Sequence, residues 1–304
     1  MSEERFKVVL SGASGMLGTA LRGELTARQI PTLQLVRGTP ASSSQLAWNP
    51  AAEPVIANPA ALEGVAAAVH LSGASVAGRR WTAAHKRELA TSRVQSTHAL
   101  ARLLAGLRRP PQTLLVASAV GLYGDRGEEL LDESSSAGAG FLAQLCTEWE
   151  AAAEPAAEAG IRVVHLRFGV VLGRGEGALA PMLPVFRLGL GGRLGSGRQW
   201  MSWISLPDAV DAILFAMETL GLAGPVNLTA PNPVRNVEFT RALGRQLKRP
   251  TVLPVPAMAL RLAFGQMADE ALLASARAFP QKLISAGFRF THAMVNEALA
   301  AALG

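Results

Sequence analysis

Short apolar runs alternate with helical periodicities along the first two-thirds of this chain. Val8-Val9-Leu10, behind Lys7, ends at Ser11-Gly12 and reads as a buried strand. Over residues 15–28 the apolar Met16, Leu17, Ala20, Leu21 and Leu25 recur at helical spacing. Residues 30–36 form a second apolar run, ended by Arg37-Gly38, and residues 46–48 and 66–71 fit further strands. Residues 82–107 predict one long helix, stopped by Pro110-Pro111. A strand at 113–118, a helix at 139–159 stopped by Gly160, and a strand at 161–166 follow. Residues 39–44 read as a surface loop. Nearly continuous apolar strands, each followed by a helix, predict a parallel sheet with helices on both faces.

After Gly173 the texture changes. Residues 188–203 are rich in Gly and Arg and carry Trp200 and Trp203; 207–220 is helical, Val226-Asn227-Leu228 looks like one more strand, and the remainder from Val237 is helical with proline breaks. The expected fold class is α/β: a Rossmann-type doubly wound parallel sheet with a smaller, mainly helical C-terminal substrate lobe. The sheet would occupy residues 1–175, with parts of 205–230 returning to it. Residues 176–304 would form the lobe, packed at the carboxyl edge of the strands, where ligands bind in such folds.

Composition narrows the class. Of 304 residues 49% are apolar and 17% charged, so the chain can bury a large core without staples. The single cysteine, Cys146, excludes an internal disulfide, and His70, His85, His98, His165 and His292 have no ligand spacing, so no metal is expected. The charged start, residues 1–6, lacks the apolar core of a signal peptide, and no apolar run reaches the ~20 residues that span a bilayer. The expected compartment is the cytoplasm, with no membrane partner. The net charge of +6 comes mainly from arginine, since Lys7, Lys86, Lys248 and Lys282 are the only lysines. These arginines are scattered rather than blocked, which favours a positive pocket over nucleic-acid binding.

The most specific chemistry lies at Gly12-Ala13-Ser14-Gly15-Met16-Leu17-Gly18, between a predicted strand and helix. A Cβ here would keep a pyrophosphate from the backbone, while the first helical N–H groups and the helix dipole attract it. The spacing is GxxGxxG. The end of the second strand commonly selects the cofactor: an acidic residue binds the ribose hydroxyl of NAD, an arginine the 2′-phosphate of NADP. This chain has Arg37 there, so NADP(H) is expected.

These residues, with Leu71-Ser72-Gly73-Ala74 and the stretch from Ser118 to Tyr123-Gly124, resemble the extended short-chain dehydrogenase/reductases. The strings Gly78-Arg79-Arg80-Trp81-Thr82, Leu166-Arg167-Phe168-Gly169-Val170 and Gly191 through Trp203-Ile204 are similar to an epimerase-like, SulA-like branch with its own C-terminal domain. The resemblance implies that Gly12, Ser14, Gly15, Met16, Leu17 and Gly18 hold the cofactor phosphates and that Arg37 meets the 2′-phosphate. It places Leu71, Ser72 and Gly73 along the adenosine and ribose, and Ser118, Phe168 and Val170 near the nicotinamide.

Active members of that superfamily use Ser–Tyr–Lys, because a tyrosine of pKa ~10 is a poor base until a neighbouring lysine lowers it. Ser118 fits the serine slot, but the YxxxK pair is missing. The one tyrosine, Tyr123, matches the Tyr-Gly of the strand end and not the proton donor. On the helix expected to carry the pair, either Cys146 and Glu150 or Leu142 and Cys146 take the two slots. Ser118 and Tyr123 are the catalytic candidates, with Cys146, Glu148 and Glu150 as other groups for proton transfer.

Arg80-Trp81 and the loop holding Arg193, Gln199, Trp200 and Trp203 combine cations with aromatic faces that can pair with an anion and stack on a ring. By the same resemblance they face the cofactor's reactive end from the smaller lobe, which makes them the candidates for substrate contact, with Arg93 as a further candidate. Two functions follow as expectations. One is an NADP(H)-binding oxidoreductase or epimerase-like enzyme for a small-molecule substrate, an anionic one if these cations meet it. The other is a non-catalytic NADPH-sensing regulatory or interaction protein. A nucleic-acid-binding regulator is a third reading, carried only by the basic balance.

Overall fold

The computed structural model describes residues 7–77 and 79–304. Seven strands form the main sheet: β1 (Val8–Ser11), β2 (Thr32–Val36), β3 (Gln45–Ala47), β4 (Ala67–His70), β5 (Thr113–Ala119), β6 (Arg162–Phe168) and β7 (Gly224–Leu228). Their spatial order is β7-β6-β5-β4-β1-β2-β3, and every adjacent pair is parallel. The chain runs outward one way from β1 to β3 and the other way from β4 to β7. The crevice at the carboxyl ends of β1 and β4 is therefore the switch point of the sheet. Both of these strands are buried at all four positions, as near-continuous apolar strands of a covered parallel sheet should be.

Helices flank the sheet. α1 (Met16–Ala27) packs on α7 (Leu206–Glu218), while α4 (Phe141–Ala151) and α5 (Glu154–Glu158) lie against β5 and β6. The predicted helix at 82–107 is broken into α2 (Ala83–Ala90), a π turn (Thr91–Gln95) and α3 (Ser96–Ala105). At that turn the Oγ atoms of Ser92 and Ser96 donate to backbone carbonyls, and the guanidinium of Arg93 turns inward. The predicted helix at 139–159 divides between α4 and α5, since Pro155 has no N–H to continue α4 and instead starts the next helix.

Beyond β6 the chain adds a small sheet of Trp203–Ser205, Val170–Gly173 and Glu176–Gly177. It also adds α6 (Leu179–Arg187), α8 (Asn236–Leu247), α9 (Ala257–Phe264), α10 (Gln281–Ser285) and α11 (Val295–Leu303). A second apolar core forms here around Leu172, Phe186, Trp203, Phe239 and Leu299. Among the described residues no helix is long and apolar enough to cross a membrane, and no group of three or more His, Cys, Asp or Glu is placed to hold a metal ion.

Candidate cofactor site

The turn between β1 and α1 sits at the switch point, and its shape depends on two glycines. Gly12 has φ +73°, and a Cβ there would come within 2.7 Å of the Leu71 carbonyl carbon. A Cβ on Gly18 would lie 2.1 Å from the Gly12 carbonyl oxygen. Gly15 differs, because a Cβ there meets only that oxygen at 3.6 Å and otherwise faces open space. Gly15 is the N-cap of α1 and supplies no side-chain capping bond, and the first turn carries no acidic residue. The positive end of the helix dipole and its first N–H groups are thus left for an external anion. Ser14 and Gly15 are exposed, whereas Met16 tucks its sulfur beneath Gly173 and Gly177.

The rest of the rim follows from register. Ser11 pairs with Leu35 on one side and His70 on the other, so Arg37 and Leu71-Ser72-Gly73 emerge beside the turn. Arg37 is exposed. The Leu71–Gly73 segment is held by Arg93, whose guanidinium donates to the Ala74 carbonyl at 2.8 Å and stacks 5.1 Å from the Trp149 ring. Beneath the turn, Ser11 Oγ lies 2.6 Å from His70 Nδ1, and His70 Nε2 lies 3.1 Å from Ser96 Oγ. All three residues are buried, and burial pushes the imidazole down to about 4. The residues of the cradle therefore fit a pyrophosphate with a further phosphoryl group near Arg37.

Across the other half of the sheet, Ser118, Arg167 and Asn227 are direct neighbours in one cross-strand row. Ser118 Oγ donates to Glu150 at 2.6 Å, and Arg167 donates to both carboxylate oxygens of Glu150 at 2.8 and 2.9 Å. Arg167 also donates to the Tyr123 hydroxyl at 3.0 Å, which lies 2.7 Å from Asn227 Oδ1. The backbone N–H of Asn227 in turn donates to the buried Glu133. Burial alone would raise the Glu150 carboxyl, but the hydrogen bonds and charge of Arg167 outweigh it and hold it below the usual range.

In this arrangement the catalytic candidates are buried or paired. Ser118 is 3% exposed and its hydroxyl proton is committed to Glu150. Tyr123 has no exposed surface, and burial raises its pKa more than Arg167 lowers it. Burial and the nearby Glu150 charge push the Cys146 thiol up to about 12. Glu150 is locked by Arg167, and exposed Glu148 hydrogen-bonds Gln144 on the outer side of α4. No member of this set is a free acid or base beside the strand ends. Phe168 is mostly buried at the end of β6, and Val170 is half-buried.

The proposed substrate residues also separate. Trp203 is fully buried and bonds the Asn232 carbonyl, so it belongs to the core and not to a binding surface. Gln199 is buried and ties the carbonyls of Leu194 and Leu272 together. Trp81 packs edge-on against Phe141 and donates to the Val76 carbonyl. Arg80 and Arg193 are exposed. Trp200 is half-buried between the Arg235 and Arg277 guanidiniums, with its indole N–H on Glu128. Gly78 lies outside the described residues. A cavity of about 930 Å³ includes none of these residues; it opens between the 50–59 segment and α3, beside His98 and Arg102.

Sequence reasoning missed Asn227, Glu133 and the Ser11–His70–Ser96 bridge. Each joins residues far apart in the chain, so no local spacing announced them. Arg167 and Glu150 each stand in strings the sequence singles out, but their pairing does not show in the spacing.

A parallel sheet in this order, with an uncapped glycine turn at its switch point, defines a Rossmann-type α/β protein. The chain belongs to the NAD dependent epimerase/dehydratase family, whose model matches residues 8–228; a domain of unknown function, DUF1731, matches residues 255–302. Among relatives, the epimerase family protein MT2273 of Mycobacterium tuberculosis is 50% identical over 292 residues, 96% of each chain. The human epimerase family protein SDR39U1 is 33% identical over 96% of this chain and 98% of its own. A crystal structure of human SDR39U1 (isoform 2) with NADPH superposes with TM-score 0.89 at 31% identity, covering 98% of this chain and 99% of that one. A nucleoside-diphosphate sugar epimerase structure from Corynebacterium glutamicum gives TM-score 0.80 at 35% identity, covering 99% of this chain and 59% of that one.

Proposed function

We propose that the chain binds NADP(H) at the turn from Gly12 to Gly18 and uses it as an oxidoreductase or epimerase-like enzyme on a small molecule. The observation that carries the reading is the tight turn shaped by Gly12 and Gly18, which leaves Gly15 and the uncapped end of α1 open to an anion. The amides of the first helical turn would hold the pyrophosphate, Arg37 the 2′-phosphate, and Leu71 to Gly73 the ribose side. The crystal structure of human SDR39U1 with NADPH supports the choice of dinucleotide. When bound, such a cofactor supplies the redox couple. Arg80, Arg193 and Trp200 are the substrate candidates left with exposed surface, and two of them are cationic, which suits an anionic substrate.

Arg37→Glu tests the assignment. Calorimetry should find NADPH binding weakened by about tenfold or more, as a lost charge-assisted phosphate contact requires, with NADH affected only slightly. Equal losses for both dinucleotides would remove the 2′-phosphate role.

A second reading, a non-catalytic NADPH-responsive interaction protein, draws on the locked Ser118, Tyr123, Cys146 and Glu150. The readings part in one experiment. Turnover of any carbonyl, alcohol or sugar nucleotide by the purified chain with NADPH or NADP⁺ supports the enzyme. Cofactor-dependent capture of a partner without turnover supports the alternative.

A further inference from the structure

Two acid-free segments of the chain carry cations that the fold brings to one face. Residues 177–207 and 239–268 contain no aspartate or glutamate, yet they carry Arg187, Arg193 and Arg198 in the first and Arg241, Arg245, Lys248, Arg249 and Arg261 in the second. The fold brings parts of the two together. Arg249 Nε donates to the Arg187 carbonyl at 2.7 Å, and Val255 N–H donates to the Arg193 carbonyl at 2.9 Å. A Cβ on Gly189 would touch Pro250 Cγ at 3.4 Å, so the 187–195 and 249–255 segments run side by side.

The same pair of segments exposes apolar side chains that a water-facing loop has no reason to carry. Leu188 is 75% exposed, Leu190 54%, Val252 77% and Leu253 50%. The strip continues along the chain into α9, where Met258 and Leu262, one helical turn apart, are 72% and 73% exposed. Scattered single leucines on a surface mean little, but a concentration on adjoining segments marks a contact site. These side chains are aliphatic and flexible, without the tryptophans and tyrosines that anchor protein interfaces. Beside them Arg241, Arg245, Lys248 and Arg249 line a hollow of about 350 Å³ with no carboxylate in its wall.

We propose that this face docks peripherally on an anionic lipid bilayer. Leu188, Leu190, Val252 and Leu253 enter the boundary between headgroups and acyl chains, and the flanking cations meet lipid phosphates. Long arginine and lysine stems suit that boundary, because they lie along apolar surface while their charges reach the headgroups. The expectation of no membrane partner rested on the lack of a spanning segment, and a surface-lying contact needs none. The inference does not depend on the cofactor reading, since it uses no residue of the Gly12–Gly18 cradle.

Co-sedimentation of the full chain with vesicles tests it. One set is phosphatidylcholine alone; the other contains about one-third phosphatidylglycerol. We expect at least tenfold greater partition to the anionic vesicles at low salt, falling steeply as salt screens the contact. The variant Leu188→Ser/Val252→Ser and the variant Arg241→Glu/Lys248→Glu should each abolish most of that partition while retaining the parent's circular dichroism and melting temperature. Equal partition to both vesicle types, or none to either, overturns the proposal. So does sedimentation velocity showing that the native chain forms a dimer which Leu188→Ser/Val252→Ser dissociates, because a second copy would then cover the face.

Discussion

At the scale of single residues, the three glycines of the turn do different work. Gly18 has no room, as its Cβ would sit inside the Gly12 carbonyl oxygen; Gly15 has room and faces outward. Gly18→Ala should therefore damage the fold of the turn itself and lower the melting temperature. Gly15→Ala should cost about 1 kcal/mol or less in stability, the order of a lost glycine N-cap, yet weaken NADPH binding if the proposed site is right, because the methyl would stand where that site takes the phosphates. Thermal melts alongside NADPH titration separate the two, and the assignment fails if Gly15→Ala binds NADPH as the parent does. Glu150 is the second telling position. Glu150→Gln leaves Arg167 without its carboxylate, and losing one partner of a buried pair costs roughly 3–5 kcal/mol, toward the low end when hydrogen bonds survive. The sign with pH follows from the lowered Glu150 pKa: its contribution is present above the unfolded value of ~4.3 and is lost as pH falls through the folded one. Urea midpoints at pH 7 should show the full loss in the variant. A midpoint unchanged from the parent would mean that the pair holds nothing together.

At the scale of elements, the Ser11–His70–Ser96 bridge ties β1 to β4 and to the first turn of α3. Burial keeps His70 neutral down to about pH 4, whereas an unfolded imidazole takes a proton near pH 6.5. Between those values the unfolded chain binds the extra proton, so this contribution is whole above ~6.5 and declines toward pH 4, by ~3 kcal/mol in all. His70→Asn should remove that slope, so that parent and variant denaturation curves converge as pH falls from 7 to 4.5. Parallel curves would sink the idea. The elements that build this region were largely legible in the sequence. β1, α1 and β2 follow from local periodicity and the glycine turn, which act within a few residues. The breaks were less so: the π turn at Thr91–Gln95 answers to Arg93 reaching Ala74 and to serine back-bonding, which are tertiary effects on a sequence with unbroken helical periodicity. Pro155 gave a local signal for the division of α4 from α5, and the helical pattern on either side masked it. The polar row Ser118–Arg167–Asn227 could not be read from spacing, because register between strands decides it. Tryptophans near arginines suggested a binding surface, but burial puts Trp203 in the core.

At the scale of the whole molecule, the question is whether the carboxyl-terminal helices form an appendage or complete the fold. Val295, Ala298 and Leu299 of α11 share one apolar core with Leu172, Trp203 and Phe239, residues contributed by widely separated stretches of chain. Just before α11, the N–H groups of Thr291 and His292 donate to the fully buried carboxylate of Asp208 at 2.8 and 2.9 Å. Asp208 lies in the first turn of α7, which packs on α1 and whose Leu206 meets the same Gly173 that Met16, the first residue of α1, packs against. The path from α11 to the cofactor cradle thus runs through packed side chains and paired polar groups, with no exposed linker in between. Leu299→Ala leaves a cavity in that shared core and should cost ~2–5 kcal/mol. If the packing couples the molecule, the loss moves the entire unfolding transition: tryptophan fluorescence, reporting on Trp48, Trp81, Trp149, Trp200 and Trp203 together, and far-ultraviolet circular dichroism should shift to the same lower denaturant midpoint. An early partial transition followed by a main one at the parent's midpoint would show instead that α11 and its neighbours melt on their own.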